Sequence, residues 1–158
     1  MMDEKKVALA KQVYNDLCRA IENREWKYDK DEENLAVYFG VSGEDFPMQF
    51  VLNVDVERQL LRVMSPLPFK FGEDNRIEGA IATCVASNNM LDGSFDYNLN
   101  DGAIIFRMTA SFRDSVIGEG LFQYMISASC AAVDYYNDQF VAINVGILSI
   151  DDFIKSES

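Results

Sequence analysis

The sequence predicts an α+β domain of two layers, in which helices cover one face of an antiparallel sheet of about five strands. Apolar residues recur every three or four positions in some segments and every second position in others, which indicates separate helices and strands. Each alternating segment has one polar face, as in a sheet that is covered on one side only. The alternating segments follow one another through short turns, which favours antiparallel pairing and the order α-β-β-β-α-β-β-α.

The first half of the chain gives one helix and about three strands. Apolar residues at helical spacing define the first helix: Val7, Ala10, Val13, Tyr14, Leu17, Cys18 and Ile21. A polar break over residues 29–34 precedes an apolar, β-forming run at 35–41. Residues 48–56 alternate between apolar and polar types, which predicts a strand with one wet face. A further short strand is expected to end near Met64, because Pro66 and Pro68 cannot donate to a ladder.

A second helix, a hairpin and a long final helix follow. The second helix begins after residue 72 and has an apolar stripe at Ile77, Ala80, Ile81, Cys84 and Val85. The hairpin joins residues 95–99 to residues 104–112 through Asp101-Gly102, a strong turn signal. The long helix runs from about residue 115 to residue 143 and is apolar over more than one face, so we expect it to touch more than one surface. A short last helix starts at Ser149, which is a favourable N-cap.

Length and charge restrict the function. The chain has 158 residues, which corresponds to a single domain over residues 1–158. It carries 26 acidic and 14 basic residues, a net charge of −12. This balance argues against binding to nucleic acid or to anionic lipid, both of which need clustered basic residues. The acidic exterior can serve solubility alone, or it can recruit a basic partner.

The residues that commonly perform catalysis are scarce. Histidine is absent from the sequence, which removes the commonest general base and rules out a Ser-His or Cys-His pair. Three cysteines, Cys18, Cys84 and Cys130, are 66 and 46 residues apart, so no pair has the spacing of a zinc or redox site. We expect them to be structural thiols in a reducing, cytoplasmic environment. No signal peptide or membrane-spanning run is expected.

The motifs that resemble known binding sites fail on their details. Asp96-x-Asn98-x-Asn100 resembles the start of a calcium loop, but the twelfth position is Arg107 where a bidentate glutamate is needed. Adjacent acid pairs occur only at helix starts and turns, where carboxylates stabilise the backbone. We therefore predict no catalytic residues, no metal site, no cofactor and no enzyme activity.

Four aromatic residues fall outside the periodic pattern. Trp26 and Tyr28 follow the first helix, and Phe69 and Phe71 follow the proline pair. They can seal the sheet edges and helix ends, or they can form an exposed apolar patch for a second subunit or a partner segment. A nearby strand edge could also accept an extended peptide by strand addition.

Several short motifs resemble those of the bacterial YbjN family of proposed sensory transduction regulators, whose fold is similar to that of type III secretion chaperones. The matching features, in chain order, are Pro66 and Pro68, Asn88-Asn89, Gly93-Ser94-Phe95-Asp96, Asp101-Gly102-Ala103-Ile104-Ile105-Phe106-Arg107 and Asp134-Tyr135-Tyr136. The resemblance implies a homodimeric, cytoplasmic, non-enzymatic regulator or chaperone-like binder, and it brings no catalytic residue with it.

Two functions remain open on the sequence alone. The first is a homodimeric, chaperone-like or regulatory domain that binds another protein or peptide. The second is a small-molecule or ion-sensing domain with a pocket between the sheet and the long C-terminal helix.

Overall fold

One antiparallel sheet forms a layer of the fold, and helices pack on one of its faces. The computed structural model describes residues 3–158, and within them the sheet has six strands in the order β1-β2-β3-β4-β6-β5. The elements, in chain order, are α1 (Glu4–Asn23), β1 (Asp29–Asp31), β2 (Ala36–Ser42), β3 (Pro47–Asp55), β4 (Leu60–Lys70), a 3₁₀ turn (Glu73–Asn75), α2 (Arg76–Asn88), β5 (Ser94–Tyr97), β6 (Ala103–Ser111), α3 (Glu119–Asn144) and α4 (Ile150–Ser156). The predicted α+β class is confirmed.

The additional strand is β1, which lies in the stretch predicted as a polar break. Its sequence is Asp-Lys-Asp, and none of its side chains is buried, so it has no apolar alternation. The strand exists because its backbone pairs with β2, in register Asp29↔Tyr38 to Asp31↔Ala36. A turn held by Asp31, whose carboxylate accepts from the Asn34 backbone at 3.0 Å, brings the two strands together.

The expectation that β4 stops at the prolines is wrong. The strand continues to Lys70, through both Pro66 and Pro68. Its pairing with β3 ends at Met64, whereas its pairing with β6 reaches Pro66 and is found again at Lys70. The Ser65 hydroxyl still donates to the Gln49 backbone oxygen of β3 at 2.7 Å, but no backbone pairing with β3 follows. Proline is tolerated at Pro66 and Pro68 because no ladder hydrogen bond to β3 is lost there.

The core lies between the sheet and the helices. α1 buries the predicted stripe, and α3 buries Phe122, Met125 and Phe140 against the sheet. Rings fill the space below α3, with Phe95 and Phe140 centroids 5.1 Å apart and Phe95 and Phe106 centroids 5.5 Å apart. The layer that could have held a small-molecule pocket is thus packed with side chains. No helix within residues 3–158 is both long and apolar enough to cross a bilayer.

Candidate protein-binding surfaces

Trp26 and Tyr28 form a half-buried pair beyond the end of α1. The Trp26 ring packs 5.4 Å from the Phe39 ring, and the guanidinium of Arg24 lies 4.2 Å from the Trp26 centroid. The Tyr28 hydroxyl donates to a carboxylate oxygen of Glu22 at 2.5 Å. These intramolecular contacts leave only part of each ring free for a partner.

Phe69 and Phe71 form a second, separate pair at the end of β4, with ring centroids 6.2 Å apart. Phe69 is half-buried, but Phe71 is 1% exposed and packs against Tyr97 and Phe140 in the core. A charge introduced at Phe71 would therefore disrupt the core rather than test a surface.

The apolar stripe of α2 faces away from the core. Ile77 is 65% exposed and Ile81 is 37% exposed, and Cys84 is also exposed on the same side of the helix. The buried side consists of small residues: Gly79, Ala82, Thr83 and Ala86. Small side chains let the helix lie close to the rest of the fold, since a Cβ built on Gly79 would be only 2.7 Å from the Phe71 ring. The helical period was predicted correctly, but it did not fix which side is buried.

This α2 face, defined by Ile77, Ile81 and Cys84, is also neutral. Arg76 and Glu78 are the only charged residues of the helix, so its net charge is zero in a chain of −12. The Arg76 guanidinium donates to the backbone carbonyl oxygen of Asn100 at 2.5 Å. The α2 face therefore combines exposed apolar area with little like-charge repulsion.

A second apolar surface crosses the uncovered face of the sheet. Tyr38 on β2 is paired with Val51 on β3, and Val51 is paired with Met64 on β4. Ile105, on β6, lies diagonally from Met64 on the same face of the sheet. Tyr38 and Ile105 are 41% and 40% exposed, and the other two are half-buried. We call these four residues the sheet row.

Charges beside the sheet row are paired within the chain. The Arg107 guanidinium donates to both carboxylate oxygens of Asp96, at 2.8 and 3.1 Å. Arg62 lies 3.6 Å from Asp55 and donates to the side-chain amide oxygen (Oδ1) of Asn53 at 2.6 Å. The row is therefore an apolar strip bordered by compensated charges.

Asp55 has a lowered pKa. Burial by itself raises the pKa of this carboxyl, but hydrogen bonds from the Arg58 backbone and guanidinium, together with the charge of Arg62, outweigh burial and hold it below its usual value. The group is thus a charged anchor for the β3–β4 turn.

The sequence analysis did not single out the sheet row, although the sequence contains a signal for it. Val51 and Ile105 each stand between two inward-facing apolar residues, in Phe50-Val51-Leu52 and Ile104-Ile105-Phe106. An apolar residue at the polar position of an alternating strand indicates that the outer face is not wholly polar. The exposure of the α2 face has no comparable signal.

The three cysteines differ in accessibility. Cys84 is exposed on α2, Cys18 is buried and Cys130 is intermediate. Burial raises the pKa of Cys130 to about 11 and also raises that of Cys18. Burial therefore keeps both groups as thiols near neutral pH, which fits the structural role predicted for them.

Comparison with known proteins supports the fold. No protein-family profile matches the sequence, and no curated protein does. YbjN from E. coli, a proposed transcription regulator, superposes with a TM-score of 0.60 at 8% identity, over 85% of this chain and 93% of that chain. A chain of the HopA1–SchA chaperone–effector complex superposes with a TM-score of 0.54 at 10% identity, over 87% of this chain and 99% of that one.

At these identities the likeness establishes the fold alone. The chain therefore has the architecture of YbjN and of a chain of the chaperone–effector complex, as the resemblance of the short motifs implied. Two of the solved structures that share it are a proposed regulator and a chain of a chaperone–effector complex.

Proposed function

We propose that this chain is a non-enzymatic, protein-binding domain, chaperone-like or regulatory in role, that acts as a homodimer. The sheet row is the surface proposed to bind the partner protein. Membership of the YbjN family and a cytoplasmic location are part of the same proposal; the first is supported by the shared fold and the second by three free thiols.

The sheet row has the shape of a site for a polypeptide segment. Neighbouring strands are about 4.8 Å apart, so the row from Tyr38 to Ile105 extends over roughly 14 Å. Its flat, apolar strip offers contact to one side of an extended or helical segment, whereas small ligands usually occupy concave pockets. The charged residues at its border are paired with one another within the chain. A partner would therefore contact the strip without burying an unpaired charge.

The binding surface can be tested with one substitution and a matched control. Ile105→Glu places a charge within the sheet row, whereas Ser111→Glu adds the same charge at the exposed end of the same strand, away from the row. A tagged protein purified from native lysate should retain a stoichiometric partner in the wild type and in Ser111→Glu, and lose it in Ile105→Glu. Equal recovery of the partner with both variants would contradict the assignment of the sheet row.

The α2 face supports the homodimer. A two-fold interface places one patch against itself, so it must be apolar and free of self-repulsion, and the α2 face meets both conditions. With the two-fold axis near Ile81, two antiparallel copies of α2 would bring their Cys84 residues to roughly 13 Å of each other, from the helical rise and the usual spacing of packed helices. A flexible bismaleimide can span this distance.

The expected result is a dimer by sedimentation velocity for the wild type and a monomer for Ile81→Glu. Ala8→Glu, at an exposed alanine of α1, has the same change of charge and should remain a dimer. Bismaleimide should cross-link the wild type and fail with Cys84→Ser. A monomeric wild type, or a dimer that persists in Ile81→Glu, would overturn this interface and leave the test of the sheet row unaffected.

A further inference from the structure

An uncovered apolar seam runs along the outer side of α3. Its members follow heptad spacing, at intervals of three, four, three and four residues: Leu121, Tyr124, Ala128, Ala131 and Tyr135. Leu121, Tyr124 and Tyr135 are 41%, 49% and 59% exposed, Ala131 is exposed as well, and Ala128 is half-buried against the core. No charged residue lies between Glu119 and Asp134. We call these five residues the α3 seam.

The distribution of small and large side chains along the α3 seam suits the binding of a second helix. Two alanines occupy its middle, between tyrosines that are 11 residues or about 16 Å apart along the axis. Small residues in the middle allow a second helix to approach closely and to place large side chains over them. The tyrosines are held in place, because the Tyr124 hydroxyl donates to Asp92 at 2.5 Å and the Tyr135 ring packs edge-on against Tyr136, with centroids 4.8 Å apart.

The charges around the α3 seam indicate what kind of helix it takes. Asp134 and Asp138 lie on α3 itself, and Asp92 lies beside Tyr124. The base on the α1 side, Arg24, donates to Gln123 at 2.6 Å and to Ser127 at 3.2 Å, so it is engaged within the chain. The border of the seam is therefore acidic and favours a cationic partner.

A second copy of the chain is a poor occupant. Two α3 seams packed against each other would bring two acidic borders together, because α3 carries no lysine or arginine to offset Asp134 and Asp138. A helix with lysine or arginine beside its apolar stripe would instead find opposite charges at both ends.

We infer that the α3 seam binds an amphipathic helix of a partner protein, with large apolar residues at heptad positions and basic residues beside them. The inference rests on the proposed protein-binding role, but it concerns a surface separate from the sheet row and the α2 face. It also explains why α3 is apolar over more than one side, since the inner side packs on the sheet while the outer side leaves Leu121, Tyr124 and Tyr135 exposed.

The test uses synthetic helical peptides as probes. One peptide of about three heptads carries leucine at the a and d positions and lysine at e and g, and its control carries glutamate at e and g. Fluorescence anisotropy measures their binding to the wild type, to Ala131→Lys and to Ala8→Lys. Both variants add the same charge at an exposed alanine of a helix, but only Ala131 lies in the α3 seam.

We expect the lysine peptide to bind the wild type and Ala8→Lys alike, and to bind Ala131→Lys at least tenfold more weakly. Equal weakening in both variants would mean general charge attraction and would overturn the inference, as would equal binding of the glutamate peptide or no binding of the lysine peptide. A change of oligomeric state in Ala131→Lys would make a second copy the occupant instead. If Ile105→Glu loses the cellular partner while the peptide still binds that variant, the two surfaces are independent.

Discussion

Substitution of Gly79 by alanine tests how closely α2 packs against the rest of the fold. The small residues on the buried side of this helix allow that close packing, which leaves the α2 face on the outside. A Cβ built at this position would lie 2.5 Å from the Tyr97 hydroxyl oxygen and 2.7 Å from two ring atoms of Phe71. Phe71 is 1% exposed and is held between Tyr97 and Phe140, so its ring cannot move aside freely.

Two opposing effects set the size of the change. Alanine is favoured over glycine in a helix interior by about 1 kcal/mol. Overpacking in a well-packed core costs about 1–3 kcal/mol. Because the neighbours of Gly79 must shift by several tenths of an ångström, we expect overpacking to prevail and the free energy of unfolding to fall by about 1 kcal/mol, which lowers the melting temperature by about 2–4 °C in a domain of this size.

The assay is thermal or urea unfolding followed by circular dichroism, with Gly120→Ala as the matched control. Gly120 also lies in a helix, and a Cβ there would meet nothing within 4 Å, so the control should be neutral or more stable than the wild type. A Gly79→Ala variant as stable as Gly120→Ala would refute the close packing of α2.

Three further changes have defined outcomes. Asp55→Asn should lower the free energy of unfolding by roughly 1 kcal/mol near neutral pH. The lowered pKa of Asp55 stabilises the wild type above the unfolded-state pKa of this carboxyl, and this stabilisation is lost as pH falls through the folded-state pKa. On acidification the variant should therefore lose less stability than the wild type. Cys84 should react with a maleimide faster in Ile81→Glu than in the wild type, where the second copy of the proposed dimer narrows access to it without blocking it, while Cys130 should react slowly in both. Ser149→Ala should destabilise α4 by about 1 kcal/mol, because the hydroxyl oxygen of Ser149 accepts from the backbone N–H of Asp152, in the first turn of that helix, at 3.1 Å.

Each of these has a result that would contradict it. Parallel curves of stability against pH for Asp55→Asn and the wild type would show that the carboxylate is not differentially stabilised in the folded state. Equal labelling rates of Cys84 in the dimer and in Ile81→Glu would place the interface elsewhere. An unchanged urea midpoint in Ser149→Ala would mean that solvent replaces the cap without loss.

The elements with strong periodicity were predictable from the sequence. The stripe of α1 and the alternation of β3 appear in the structure where the sequence placed them, because burial of one face imposes those periods. β1 was not predictable by this route, since a strand of Asp29, Lys30 and Asp31 is formed by backbone pairing and buries no side chain. The length of β4 depends on whether its prolines face a paired or an unpaired neighbouring strand. This is a property of the tertiary structure, so the sequence pattern could not reveal it.

The candidate surfaces were less predictable for a different physical reason. Helical spacing shows that Ile77 and Ile81 share a side, but the spacing is the same whether the core or a partner covers that side. Off-pattern aromatics such as Trp26 and Phe71 turned out to be half-buried and buried, because rings at element ends often close the core. Apolar residues at outward-facing positions of a strand, such as Ile105, were the more informative signal.

The prolines of β4 also hinder aggregation by strand pairing between molecules. A strand with one open side presents unpaired backbone groups that a foreign strand can join, and such joining is the first step of fibril growth. Pro66 and Pro68 remove every second N–H along this stretch, so an incoming strand would find an incomplete ladder. At the far border of the sheet, the charged triplet Asp29–Asp31 is too short to template a neighbour. These two features disfavour aggregation through backbone pairing, while the exposed apolar side chains remain available to bind a partner protein.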